Sequence, residues 1–148
     1  MKEWICAAAG TAGSFLIAAV GGWDLSLQIL LAFMAVDFCT GILTAAVFHR
    51  SAKSQNGRLE SRRCFQGICR KIAMLMLVAA GHAMDLLLGC AILRNAVIIG
   101  FCTNEVISIT ENAGLMGVPL PAAWKNTVSV LSRKQKAQDA EREQSERN

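Results

Sequence analysis

The sequence predicts an all-α integral membrane protein, built as helical hairpins with three to four transmembrane helices. Three observations make that prediction. Hydrophobic residues supply 53% of the 148 positions, and mean hydropathy is +0.39, more than a soluble domain needs to fill its core. Four apolar stretches, at about 4–23, 25–48, 72–88 and 96–116, come near the roughly 20 helical residues that cross a hydrocarbon layer. Charge crowds into Arg50 to Lys71 and into the tail after Lys125. A chain of this length holds a few spans and short connections, with no independent soluble domain. Residues 1–118 read as the transmembrane domain, 49–71 as a basic connector within it, and 119–148 as a charged tail.

The first stretch, Trp4 to about Trp23, is rich in Ala and Gly. Cys6, Gly10 and Ser14 share one face at four-residue spacing, as do Ala9 and Gly13, and small residues so placed let helix backbones approach closely in lipid. Trp4 and Trp23 bracket it as interfacial anchors would. A cleaved signal peptide ending near Ala18, Ala19 and Val20 is the competing reading. Its basic region would be Lys2 alone, offset by Glu3, so the stretch is read as a retained helix.

Gly21-Gly22-Trp23-Asp24 turns the chain into the second span, Leu25 to Phe48, whose only charge is Asp37. A carboxylate near the bilayer centre costs on the order of 3 kcal/mol, while each Leu, Ile, Val or Phe returns about 0.5 kcal/mol. Twelve such residues surround Asp37, so insertion wins. A carboxylate held there faces a helix bundle, a partner chain or a water-filled cavity.

The connector that follows carries Arg50, Lys53, Arg58, Arg62, Arg63, Arg70 and Lys71 against Glu60 alone, with a turn signal at Asn56-Gly57. Basic loops beside spans stay in the cytoplasm, so this one sets the orientation. It can also meet anionic headgroups. The third span, Ile72 to about Leu88, places His82 and Asp85 at i, i+3, on one helical face. With no nucleophile at a suitable spacing, the pair reads as a polar contact inside the bundle. A short turn then holds Gly89, Arg94 and Asn95.

The fourth stretch, Ala96 to about Met116, inserts least readily. Its eight Leu, Ile, Val and Phe residues contribute about −4 kcal/mol, nearly cancelled by one central carboxylate at roughly +3 kcal/mol. Asn104, Glu105, Ser108, Glu111 and Asn112 fall with Phe101 and Leu115 on one side of this helix. They are candidates for a face that meets other protomers or lines a pore, together with Asp37, Gly41 and Asp85. Gly117-Val118-Pro119-Leu120-Pro121 ends the helix, since proline cannot continue the ladder. The tail beyond is nearly free of apolar residues and is expected to be frayed or disordered.

With the connector inside, the amino terminus is cytoplasmic. The carboxyl terminus is cytoplasmic if the fourth stretch crosses and external if it does not. The six cysteines form no zinc-type pair and read as small hydrophobes in a reduced setting. No metal cluster, cofactor motif, phosphate loop or nucleophile motif is present, so neither an enzyme nor a cofactor is indicated. The basic connector lacks interleaved aromatics, which argues against nucleic acid.

The landmarks in order are Asp37-x-x-x-Gly41, a polar loop ending Gly67-Ile68-x-x-Lys71, and Asp85. They continue with Asn104-Glu105-x-x-Ser108-Ile109-x-Glu111-Asn112 and Gly117-x-Pro119-x-Pro121. This arrangement, from Asp37 to about Leu131, resembles the phage lysis and toxin-secretion holin family, which includes clostridial toxin-secretion holins. The resemblance implies a multi-pass protein of the bacterial cytoplasmic membrane, of phage or bacterial origin. Such a protein associates with itself and permeabilises the bilayer, letting an endolysin reach the cell wall or a large toxin leave the cell. His82 and Arg94 lie outside the pattern. The reading that competes with it is a small ion-coupled transporter or channel accessory subunit, using Asp37, Asp85 and Glu105 as ion or proton sites.

Overall fold

The computed structural model describes residues 2–48 and 61–146. Among these the regular structure is entirely helical, without a strand. Five helices follow one another: α1 (Lys2–Ala19), α2 (Leu25–Ala46), α3 (Ser61–Leu88), α4 (Leu93–Leu115) and α5 (Ala122–Glu146). Two differ from the expectation. Helix α3 begins at Ser61, so the last part of the connector, including Arg62, Arg63, Arg70 and Lys71, is helical. The tail, expected to be frayed or disordered, forms α5. Its Ala, Lys, Gln, Arg and Glu residues are strong helix formers, and helix needs no core when one edge has something to rest on. Trp124, Val128 and Leu131 supply that edge at i, i+4, i+7, and Val128 is buried.

Glycine makes the helix ends. After α1, Gly21 and Gly22 adopt φ of +91° and +98°, and Gly22 N donates to Ile17 O at 2.9 Å. A left-handed residue at that point turns the chain while satisfying the last carbonyls. Gly117 (φ +81°) does the same after α4, where Val118 N reaches Ala113 O at 3.0 Å. Asp24 caps the start of α2 by accepting from Leu27 N at 2.9 Å.

The chain divides into two compact units, one of Met1–Met34 and Phe65–Cys102, the other of Ala35–Cys64 and Thr103–Asn148. The first has an apolar core of Leu30, Met34, Met74, Val78 and Ile98, with Val20, Leu31, Leu75, Val97, Phe101 and Cys102 packed against it. The second buries Ala45, Ile107 and Val128, and beside them Asp37, Thr44, Glu105 and Asn112.

Burial is inverted relative to a soluble protein. Glu105 is 3% exposed and Asp37 8%, whereas Phe15 is 74% exposed and Leu87 80%. Outward apolar side chains run the length of α2 (Leu25, Ile29, Val36, Leu43) and α3 (Ile72, Met76, Leu77, Leu86). An exterior of that kind needs an apolar solvent. Residues Leu25–Ala46 and Cys64–Leu88 are long and apolar enough to cross a membrane. Helix α1 is less apolar because Lys2 and Glu3 stand in its first turn, and α4 because of its polar residues.

Candidate functional site

In the second unit, α2 presents Asp37, Thr40, Gly41 and Thr44 at i, i+3, i+4, i+7, one stripe of a helix. The two hydroxyls fold back on their own helix: Thr40 Oγ1 donates to Asp37 O at 3.0 Å, and Thr44 Oγ1 to Thr40 O at 2.7 Å. That back-bonding gives each hydroxyl proton a partner without water. It leaves the Thr40 lone pairs facing α4, where Asn112 Nδ2 donates to Thr40 Oγ1 at 3.1 Å and reaches Asp37 Oδ1 at 3.4 Å. Gly41 lies beside the same amide; a Cβ there would sit 3.8 Å from Asn112 Nδ2, an ordinary contact. Thr110 ties α5 to this region by accepting from Trp124 Nε1 at 3.0 Å.

The expected site residues fall into place unevenly. Glu105 and Asn112 are buried, Asn104 and Ser108 are half-buried, and Glu111 is exposed. Asn104, Glu105 and Ser108 all have partners within the protein. Among the described residues, no buried side-chain nitrogen or oxygen lacks a hydrogen-bond partner. Of the connector cations, Arg50, Lys53 and Arg58 lie outside the described residues. Arg62 and Arg70 are exposed, Lys71 is half-buried, and Arg63 stands in the first turn of α3.

Asp85 belongs to the first unit and works differently. Its spacing to His82 suggested a pair, but its carboxylate turns to the start of α4. Oδ1 accepts from Leu93 N at 2.9 Å, Ile92 N at 3.2 Å and Cys90 Sγ at 3.1 Å, and Oδ2 from Arg94 N at 2.9 Å. An acceptor with a full charge at a helix amino terminus satisfies orphan amides and complements the dipole. Arg94 belongs to no sequence motif, yet it is buried at the centre of this corner. Its guanidinium grips Asp24 through Nη1 at 2.6 Å and Nη2 at 3.0 Å, while Nε donates to Val20 O at 2.6 Å. The Arg94 hydrogen bond is the main reason the Asp24 carboxyl sits at about 2, below its usual 3.8, with the Leu27 amide adding to it. Gly21 makes room: a Cβ there would lie 2.6 Å from Arg94 Nε and 2.8 Å from His82 Nδ1. The signal for this corner was two opposite charges, Asp85 and Arg94, flanking a turn in an apolar region. Thr40 and Thr44 were likewise readable from their register with Asp37.

Residues 14–133 match the model of the bacteriophage holin family, a span that includes α2, α3 and α4 entire. The chain belongs to that family. It is 36% identical over 137 residues to an uncharacterised protein of Halalkalibacterium halodurans, covering 88% of this chain and 93% of the relative. A 14.9 kDa protein of the nagH 3′ region of Clostridium perfringens is 30% identical over 89% of this chain and 93% of its own length. A probable holin of Bacillus phage phi105 is 28% identical, covering 71% of this chain and 73% of the relative. No solved structure matches. Membership in the holin family and the apolar exterior together make this a membrane protein with a holin-like function.

Proposed function

We propose that copies of this chain associate in the bacterial cytoplasmic membrane and open a lesion through which an endolysin or a toxin leaves. The observation that carries this reading is a buried polar face between α2, which is apolar enough to cross a membrane, and α4: Asp37 and Thr40 on the first, with Asn112 on the second. One small protomer cannot enclose a wide pore, but many can. In the assembly, Asp37, Gly41, Asn104, Glu105, Ser108, Glu111 and Asn112 line the lumen or meet neighbouring protomers. Helices α1 to α4 cross the bilayer, the basic connector stays in the cytoplasm because its excess of Arg and Lys opposes export, and α5 lies on the same side. Interhelical hydrogen bonds in lipid contribute only about 0.6–2 kcal/mol each, so assembly depends steeply on concentration.

The test is induced expression in bacteria that also make a cytoplasmic endolysin. Growth continues until a threshold, then membrane potential collapses and the endolysin is released. Graded ion flux without passage of the enzyme would favour a transporter or channel accessory subunit. Inserted protein at high level with no release would overturn the lesion reading.

A further inference from the structure

The polar face invoked for the lesion is already occupied within one protomer. Asn112 spends its amide on Thr40 and Asp37, both on α2. Thr40 and Thr44 spend their hydroxyl protons on their own helix, and no buried polar side-chain atom among the described residues is left over. Asn112, Thr40 and Asp37, satisfied in this way, give lipid-dispersed protomers no polar reason to associate through these residues. From this, and resting on the lesion reading above, we infer that the Asn112–Thr40–Asp37 contact is a lock that holds a resting protomer, and that α2 and α4 must part here before the polar face can meet water or another protomer.

The contact suits that role. It is made by one neutral amide, at 3.1 Å and a looser 3.4 Å, strong enough to set a bias and weak enough to exchange. Gly41, beside the amide, adds no side chain to wedge or clasp the helices. The lock therefore acts in the opposite sense to a simple association face. Weakening it populates the open protomer and lowers the threshold for permeation.

The experiment uses the full chain in liposomes of phosphatidylethanolamine and phosphatidylglycerol loaded with dye, at increasing protein-to-lipid ratio. Spin labels attached through unnatural residues at the outward positions Leu43 and Glu111 report the α2–α4 distance. Asn112→Ala is expected to raise the open fraction about tenfold, the ratio given by about 1.4 kcal/mol, and to leak at a lower ratio than the parent. Thr40→Val, which keeps shape and loses the hydroxyl, should lower the threshold by a smaller factor, and Thr40→Ser should restore it. In the parent, a longer α2–α4 distance should appear together with leakage. Leakage with an unchanged distance, or with the same threshold in Thr40→Val as in the parent, overturns the lock and leaves the lesion reading standing. If the inserted parent never leaks, the lesion reading falls. The distances then decide the lock: a broader distribution in Asn112→Ala upholds it, and an unchanged one removes it.

Discussion

Replacing Arg94 with Gln tests the charged corner that sequence reading missed. The substitution removes the two-pronged grip on Asp24 and the Nε bond to Val20 O. It leaves the bond from the main-chain amide of residue 94 to Asp85 in place. Asp24 is 45% exposed, so solvent screening holds its share to about 1 kcal/mol. The Val20 carbonyl adds about 1 kcal/mol, for a total near 2 kcal/mol. Asp24→Asn should cost about half as much, because the Val20 bond survives. A double-mutant cycle on thermal unfolding in detergent, followed by far-ultraviolet circular dichroism, isolates the coupling. It should be about 1 kcal/mol at neutral pH. The pH dependence has a fixed sign. Folding depresses the Asp24 carboxyl from 3.8 to about 2, so its contribution is complete above 3.8 and disappears as pH falls from there through 2. A coupling of zero at neutral pH, or one that is undiminished at pH 2, would refute the assignment of Arg94 as the partner of Asp24.

Gly21→Ala should destabilise more than Gly22→Ala. Both sites have positive φ, a backbone conformation costing an alanine roughly 1 kcal/mol, but only Gly21 places the new methyl against Arg94 and His82. Equal melting temperatures would mean that Arg94 yields freely. Thiol reagents applied outside intact cells should fail to label cysteines substituted near Asn56; efficient labelling would invert the topology. Asp37→Leu removes an insertion cost of roughly 3 kcal/mol, so it should reach the membrane at least as well as the parent yet lyse with altered timing. Asp37→Asn separates charge from hydrogen bonding, and normal timing in both variants would make Asp37 a passive interior residue.

Local signals in this sequence were readable, and distant pairings were not. The apolar runs located α2 and α4 closely because each is a long, mostly apolar stretch with a glycine turn before it. The start of α3 was misplaced because Arg62, Arg63, Arg70 and Lys71 report where water is, and a helix can continue into water. Helix α5 is not legible from apolar patterning, because a segment without a core can still be helical. Its residues need only propensity and the short edge from Trp124 to Leu131. Asp37 was identifiable as an interior residue from its apolar flanks alone. Its neighbour Asn112 was marked as polar, but the contact between them spans 75 positions. The Arg94–Asp24 pair spans 70. Spacing rules for one helix cannot reach across such separations, and so Asp24 and Arg94 looked like incidental loop charges, although Arg94 stands in the first turn of α4.

The inverted exterior has a consequence for how such chains diverge. Outward positions such as Leu25, Ile72, Met76 and Leu87 demand greasiness and no particular shape from their own protomer, so mutations among Leu, Ile, Val, Met and Phe there disturb few neighbours within it. Interior positions lack that latitude: Thr44 is 1% exposed, and Asn112 needs both its geometry and its amide. Neutral drift will then accumulate on the outside, and overall identity will decay faster than architecture. For chains of this design, a few polar residues in fixed order are a more durable record of kinship than the percentage of matching positions.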